Sequence, residues 1–374
     1  MRIVAIVALF LLIPSAVFAQ EDASSAPPVE QEYLEKAQVI EASASKAEQL
    51  PGTGVTTQTQ DLTVKVIEGP DKGVTASFEN NYTQVGVGDV VYVRHASGGY
   101  GTDRWSLSDP YRIPILLGLA FVFIVLIGIF GGWQGLRGLA SLIGSFFLIF
   151  GLLLPGVYHG IPPAPLSIGI AALIIIVGSY ITHGWNRTTT AAVFGMLATI
   201  ICVGAGAYVA VHAAHLSGFT TEENVYLNFN TGGSIDMVGL LYGGIMIGLL
   251  GVLYDIAIGQ AVAIEELLHA GKEMTRQQIY RRGLRIGREH IGALINTLAI
   301  AYVGTALPLL LLLHDSNASI EYMVNSELFA TEIIRILVGS IGLILAVPIT
   351  TLIAAHYIRA TDTSTGHTHS GLHS

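Results

Sequence analysis

The chain is 374 residues long, 52 % hydrophobic and only 12 % charged, whereas ordinary soluble domains are about a quarter charged. Several apolar runs reach the roughly 20 residues that a bilayer crossing needs, so the composition excludes a simple soluble domain and reads as a polytopic membrane protein. A net charge of −9 offers no basic footprint for nucleic acid, and a single cysteine, Cys202, excludes an intrachain disulfide and a cysteine-built zinc site.

Residues 1–19 carry one positive charge (Arg2), an apolar core over 3–13, then Pro14 and a small-residue end at Val17, Phe18 and Ala19. The core is too short to span, which is the pattern of a secretory signal peptide; an uncleaved anchor is the competing reading. Either would export the segment beyond residue 19. Residues 20–54, rich in Glu, Ala, Ser and Gln, read as an exported spacer, flexible or in a solvated helix over QEYLEKAQVIEASASKAEQL. Residues 55–100 change character. Apolar β-branched runs at 62–67, 74–78 and 90–93 are separated by turn residues at 69–73, 80–81 and 86–89. They predict a small antiparallel β domain, a partly closed barrel. Residues 101–112 form a linker.

Seven membrane helices are expected after it, at about 113–131, 137–154, 166–183, 189–211, 236–258, 290–313 and 333–357. The fold class is therefore an all-α polytopic bundle behind a small exported β-rich domain, with a histidine-bearing cytoplasmic tail over 359–374. Charge supports one orientation. Loops placed inside hold Arg137, Arg187, Lys272, Arg276, Arg281, Arg282, Arg285, Arg288 and Arg359. The outer loops, 155–165, 214–234 and 314–330, hold no Lys or Arg but carry Glu222, Glu223, Asp315, Glu321 and Glu327. The positive-inside rule then puts the β domain outside and the C-terminus in the cytoplasm. The basic segment 262–289 reads as a helix on the membrane surface facing anionic headgroups, with Glu265 and Glu266 able to pair with Arg281 or Arg285.

The fifth predicted span carries Asp255 in an apolar helix, and Gly244, Gly248, Gly251 and Asp255 step by four, three and four. One face is thus a glycine groove for helix packing that ends in a carboxylate, and Glu266 returns to that face three turns on. A charge in hydrocarbon costs about 2.5–3.5 kcal/mol, which makes Asp255 a functional candidate; a plainer account puts it at the water boundary. The sixth span presents Asn296 as interhelical glue or a substrate contact, and Pro308 as a kink. The seventh carries Glu332 and Arg335, three apart and able to neutralise one another at the outer mouth. Gly339 and Gly342 come next as a second packing groove. Trp105, Trp133 and Trp185 read as interfacial anchors.

Other chemistries find little support. Tyr254-Asp255 and Gly86-Val87-Gly88-Asp89 echo the two motifs of intramembrane aspartyl proteases, but the second lies in the strand-rich segment, so the two carboxylates cannot meet. His159, His212 and His215, with His367, His369 and His373 in the tail, read as interfacial and tail histidines, not as a metal site. No phosphate-binding loop and no HExxH are present. No cofactor and no enzymatic activity are expected.

The blocks GGIMIGLLGVLYDIAIGQAVAIEEL, GREHIGALINTLAIAYVGTALPLLLLL and NSELFATEIIRILVGSIGLILAVPITTLIAA, in that order, resemble the YibE/F-like family of bacterial integral membrane proteins. The likeness runs from about 113 to 357. It implies a multi-pass plasma-membrane protein, loosely associated with transport, and points to Gly248, Gly251, Asp255, Gln260, Glu266, Gly287, Arg288, Asn296, Pro308, Asn325, Glu327, Glu332, Arg335, Gly339, Gly342 and Pro348. The expected function is movement of a small solute or ion, with Asp255, Asn296, Glu266 and Gln260 as transport or coupling residues. The alternative is a membrane-anchored sensor or scaffold whose exported domain binds a ligand or partner. Expected partners are the lipid bilayer and the solute, with room for a second copy or another membrane protein.

Overall fold

The computed structural model describes residues 31–49, 56–97, 104–271, 273–314 and 319–358. The expected signal peptide and histidine tail lie outside the described residues. Two compact units divide between Phe123 and Ile124.

In its described residues the N-terminal unit forms an antiparallel sheet of six strands: β1 (Gln31–Ala42), β2 (Lys46–Gln49), β3 (Thr56–Glu68), β4 (Thr75–Asn80), β5 (Val90–Ser97) and β6 (Arg104–Pro110). The order is β2-β3-β1-β5-β6, with β4 paired to β3. Because β1 and β2 both pair with β3, they act as one strand bent at residues 43–45. β4 and β6, the far ends of the pairing path, approach one another, so the sheet curls toward closure in the manner of a five-stranded Greek-key barrel. Period-two alternation explains the strands: Leu62, Val64 and Val66 of β3 point inward with Ala37, Val39, Val91 and Val93, while Asp61 and Lys65 face solvent.

Two expectations are corrected here. The spacer over 20–54 is not flexible or helical in its described part, because β1 and β2 occupy it. Its Glu, Ala, Lys and Gln content favours helix locally, but Ala37 and Val39 alternate into the core and β1 finds partners on both edges. Glu35 hid the alternation. It is buried (1 % exposed), and its Oε1 accepts from the Asp71 N–H at 2.8 Å, tying β1 to the turn after β3. Gly69 makes room for it: at φ +133 a β-carbon there would lie 2.7 Å from Glu35 Oε1. The linker over 101–112 is likewise a strand, β6, in its described part. Trp105 belongs to it and stacks on His95 at 4.0 Å between ring centroids, so it is not an interfacial anchor. His95 in turn bonds Asp71 at 2.6 Å.

The helical part begins with α1 (Ile113–Leu126), which runs through a π-helical turn (Ile127–Gly131) into α2 (Gly132–Leu148), a second π turn (Ile149–Leu153) and α3 (Leu154–Tyr158). Next come α4 (Pro163–His183), α5 (Arg187–Ala213), α6 (Glu222–Asn230), α7 (Met237–Ala270) and α8 (Arg276–Thr305). α9 (Leu307–His314), α10 (Ile320–Asn325) and α11 (Glu327–Tyr357) complete it. The starts are encoded by caps: Asn186 accepts from the Thr189 N–H, Asp236 from the Gly239 N–H, and Thr275 with Gln278 forms a capping box.

Among the described residues five helical stretches are long and apolar enough to cross a membrane: Ile113–Tyr158, Pro163–His183, Arg187–Ala213, Met237–Ala270 and Glu327–Tyr357. This differs from the seven expected, for two reasons. The first two predicted spans join without a loop into one stretch of 46 residues. The span placed at 290–313 is divided between α8, which begins in the basic segment, and α9. The break falls at Ala306, where Pro308 removes the N–H that would continue the ladder. The surface helix over 262–289 is also corrected. α7 continues to Ala270, and α8 starts at Arg276 and runs unbroken into the apolar part, so the segment is a tight helical hairpin. Among the described residues no ion pair joins Glu265 or Glu266 to Arg281 or Arg285.

α7 is the hub, packing on α4, α5, α8 and α11, while α11 also packs on α5 and α8. Met196, Ile200, Met246, Leu253 and Leu343 are fully buried between them. Backbones approach closely where glycine permits. A β-carbon at Gly195 would collide with Thr350, one at Gly243 with Ser167, and one at Gly204 would lie 2.8 Å from the Tyr242 hydroxyl.

Candidate functional site

α7 holds 28 residues, 237–264, in which Asp255 is the one charged side chain. Asp255 lies ten residues before Glu265, about 15 Å along the axis. It is therefore deep in the apolar length of the helix. The predicted face is real. Gly244, Gly248, Gly251 and Asp255 are all exposed, and the stripe continues through Gly259, Val262 and Glu266. Every other face of α7 carries buried residues, among them Ile245, Met246, Leu249, Leu253, Ile256 and Ala257.

Among the described residues, no other helix packs against two of the stripe's glycines. A β-carbon at Gly244 or Gly251 would meet nothing within 4 Å, and one at Gly248 would lie 3.0 Å from the Tyr302 hydroxyl. The physical reason lies in the flanking residues. α7 turns its larger apolar side chains toward α4, α5, α8 and α11, leaving its smallest ones on the outside. Gly339 and Gly342 of α11 do pack as expected: β-carbons there would lie 2.8 Å from Leu298 and 3.2 Å from Leu249.

One end of the stripe opens into a cavity of about 240 Å³ that Gly244 lines with Thr220, Thr221, Asn224 and Arg335. Arg335 Nη1 donates to Glu332 Oε1 at 2.6 Å, with both side chains about a quarter exposed, so the expected i, i+3 pair is formed. Among the described residues the buried Glu332 Oε2 atom has no hydrogen-bond partner. The guanidinium also lies 5.8 Å from the ring centroid of Tyr302, whose hydroxyl borders Gly248. Thus Glu332, Arg335, Tyr302, Gly244 and Gly248 are brought together, and Gly251 and Asp255 continue the line. Gly244 and Asp255 are eleven residues apart, about 16 Å along the helix.

Other sequence candidates are placed elsewhere. Gln260 is buried (4 % exposed), and its Nε2 donates to Gly283 O and Thr351 Oγ1, both at 2.8 Å. It joins α7, α8 and α11 and faces away from the stripe. Asn296 is exposed on α8, with no hydrogen bond to a neighbouring helix among the described residues. Glu327 accepts from the Ser217 and Gly218 N–H groups at 2.7 and 2.9 Å and from the Ser217 hydroxyl. It clamps the loop after α5 to the start of α11.

Two features are not evident from the sequence. Tyr302 looks like an ordinary apolar-span tyrosine, and only its position beneath Arg335 marks it. A second cavity of about 500 Å³ is lined by Tyr208, His212, His215, Asp236 and Tyr242. The His212 and His215 spacing hints at it; Asp236, a cap some twenty residues away, does not. His212 Nδ1 bonds Tyr208 O at 2.8 Å. No group of three His, Cys, Asp or Glu side chains able to hold a metal occurs among the described residues.

No curated protein and no solved structure matches the chain. The model of the YibE/F-like protein family matches residues 119–360, more than half of the chain and the region that contains every element of the stripe and its cavity. The chain belongs to the YibE/F-like family of proteins.

Proposed function

We propose that the helical unit moves a small solute or ion across the bacterial plasma membrane, along the open face of α7. The observation that carries this reading is the continuity from the Arg335 cavity through Gly244, Gly248 and Gly251 to Asp255. A carboxylate deep in an apolar helix is costly unless water, an ion or another protein meets it. The glycines leave room beside it for a small occupant. In this reading Asp255 is the coupling or binding group, and the Glu332–Arg335 pair sits at the outer mouth. A second copy or another membrane protein is the cover that would close the open side. Gln260 belongs to the scaffold.

The topology that goes with this reading has seven crossings. Gly132 adopts φ +53 and ψ −145, outside the helical region, and so divides the 46-residue stretch into two lengths. α8 and α9 together provide the sixth crossing. The β unit is then exported and the C-terminus cytoplasmic, as the distribution of Lys and Arg favours.

The test is ion flux in proteoliposomes, with proton- and sodium-sensitive dyes inside, for the wild type and Asp255→Asn. Flux that is present in the wild type and lost in a folded Asp255→Asn variant supports the reading. Equal flux in both, at equal protein incorporation, overturns it.

A further inference from the structure

The β unit carries a polar cleft that the transport reading does not use. β4 stops pairing with β3 at Asn80, opposite Gln60. The start of β3 continues past that point and faces residues 81–84, which leave a cleft of about 330 Å³. Ligand pockets span roughly 300–1,000 Å³, so this one suits a short stretch of a small molecule or polymer.

Its lining is chemically uniform. Every side chain in it is an amide (Gln58, Gln60, Asn80, Asn81, Gln84), a threonine hydroxyl or Tyr82. Among the described residues no charged side chain and no aliphatic one contributes. Amides and hydroxyls each donate and accept, so they match ligands whose groups do the same. Phosphates and carboxylates would ask for a free cation, and lipids or apolar peptides for aliphatic walls; the described lining has neither, and Arg112, beside the Tyr82 hydroxyl, is paired with Asp109.

The cleft is also held in shape from behind. Gln60 is 8 % exposed, and its Nε2 donates to Ser43 O at 3.1 Å and Val85 O at 3.0 Å, which ties the bend between β1 and β2 and the segment after β4 to β3. Asn80 is 4 % exposed; its Nδ2 donates to Thr83 O and its Oδ1 accepts from the Tyr82 N–H at 3.1 Å. Gln84 Nε2 donates to Gln58 Oε1 across the opening. Tyr82 stands at the rim with 60 % of its surface exposed, offering a flat ring face. Rigid amides below, exchangeable amides above and an exposed ring at the edge are what a sugar ring needs. Its hydroxyls take the amides, and its C–H face takes the aromatic.

We propose that this cleft binds a neutral, hydroxyl-rich glycan. The proposal is independent of what the helical unit moves. The test uses the full chain in lipid nanodiscs and titrates maltotetraose, chitotetraose and a neutral glycan array, read by calorimetry. At least one neutral oligosaccharide binds in the expected result. Tyr82→Ala and Gln84→Ala each weaken that binding by about tenfold or more, while Tyr82→Phe retains it. A β-sheet melting transition unchanged from wild type shows that the variants are folded. The proposal is overturned if no neutral glycan binds. It is also overturned if binding survives in both alanine variants, or if an extended peptide or a sulfated glycan binds the cleft more tightly than every neutral sugar.

Discussion

Substituting Gln260 by Leu separates a scaffold role from a transport role. The change keeps most of the side-chain volume and removes two donated bonds of 2.8 Å, to Gly283 O and Thr351 Oγ1. The groups left behind are not stranded. The Thr351 hydroxyl still donates to Val347 O at 2.6 Å, and Gly283 O keeps its place in the helical ladder of α8. Interhelical hydrogen bonds in membranes average about 0.6 kcal/mol and reach about 1.7, so the pair should be worth about 1–2 kcal/mol. Gly287→Ala acts on the same junction through bulk. Its β-carbon would collide with Val347 and lie 2.8 Å from Gln260 Oε1, and overpacking of this kind costs about 1–3 kcal/mol. Both variants should unfold earlier in a denaturing-detergent titration, Gly287→Ala by at least as much, and both should retain flux per folded molecule. A Gln260→Leu protein of wild-type stability but without flux would refute the scaffold assignment.

Three further outcomes are expected. Gly195→Ala should destabilise the helical unit by about 1–3 kcal/mol, because its β-carbon would collide with the Thr350 side chain and lie 3.0 Å from Thr350 Cα; detergent unfolding against Gly206→Ala, which meets nothing within 4 Å, checks it. Glu327→Ala leaves the half-buried Ser217 and Gly218 N–H groups without their acceptor, at about 1–3 kcal/mol in all, and Glu327→Gln should lose less; limited proteolysis of the loop after α5 reads both. In a protein with Cys202 replaced by Ser, single cysteines at Gln134 and His159 should react with an impermeant maleimide from opposite sides of the membrane, and labelling from one side alone would rule out a crossing between them.

What the sequence displayed and what it concealed divide along physical lines. The apolar helices were legible because membrane segments are written in composition, and the stripe on α7 was legible because its period is that of one helix. The direction that face points was not. It depends on which neighbours α7 packs against, and the glycines that look made for close packing are those left outside, while Gly195, Gly204 and Gly243 take the contacts. Gln260 shows the same limit: an amide in an apolar helix announces a partner without saying whether it is solute or scaffold. In the β unit, strands β3, β4 and β5 were visible through β-branched alternation. β1 was not, because its inward Glu35 and helix-favouring composition mask a pattern that only pairing with β3 and β5 reveals. The polar cleft was invisible for a related reason: Gln58, Gln60, Asn80 and Gln84 meet only because β3 outlasts β4.

The open stripe bears on how the helical unit must exist in its membrane. Were α7 to present Gly251 and Asp255 to lipid chains, the carboxylate would carry an insertion cost of about 2.5–3.5 kcal/mol, and the glycines would forfeit the dispersion contacts that larger side chains make. Neither loss serves a scaffold, since Gly339 and Gly342 show that this fold uses small residues inward when packing is the purpose. The losses make sense if the face meets something other than lipid. Water and a small ion fit beside glycine and solvate the carboxylate; a second helix fits beside glycine and can bring it a donor. Both arrangements keep the space beside Gly244 and Gly251 free of side chains. Filling it, with Gly251→Leu for instance, should therefore impair function far more than it impairs folding.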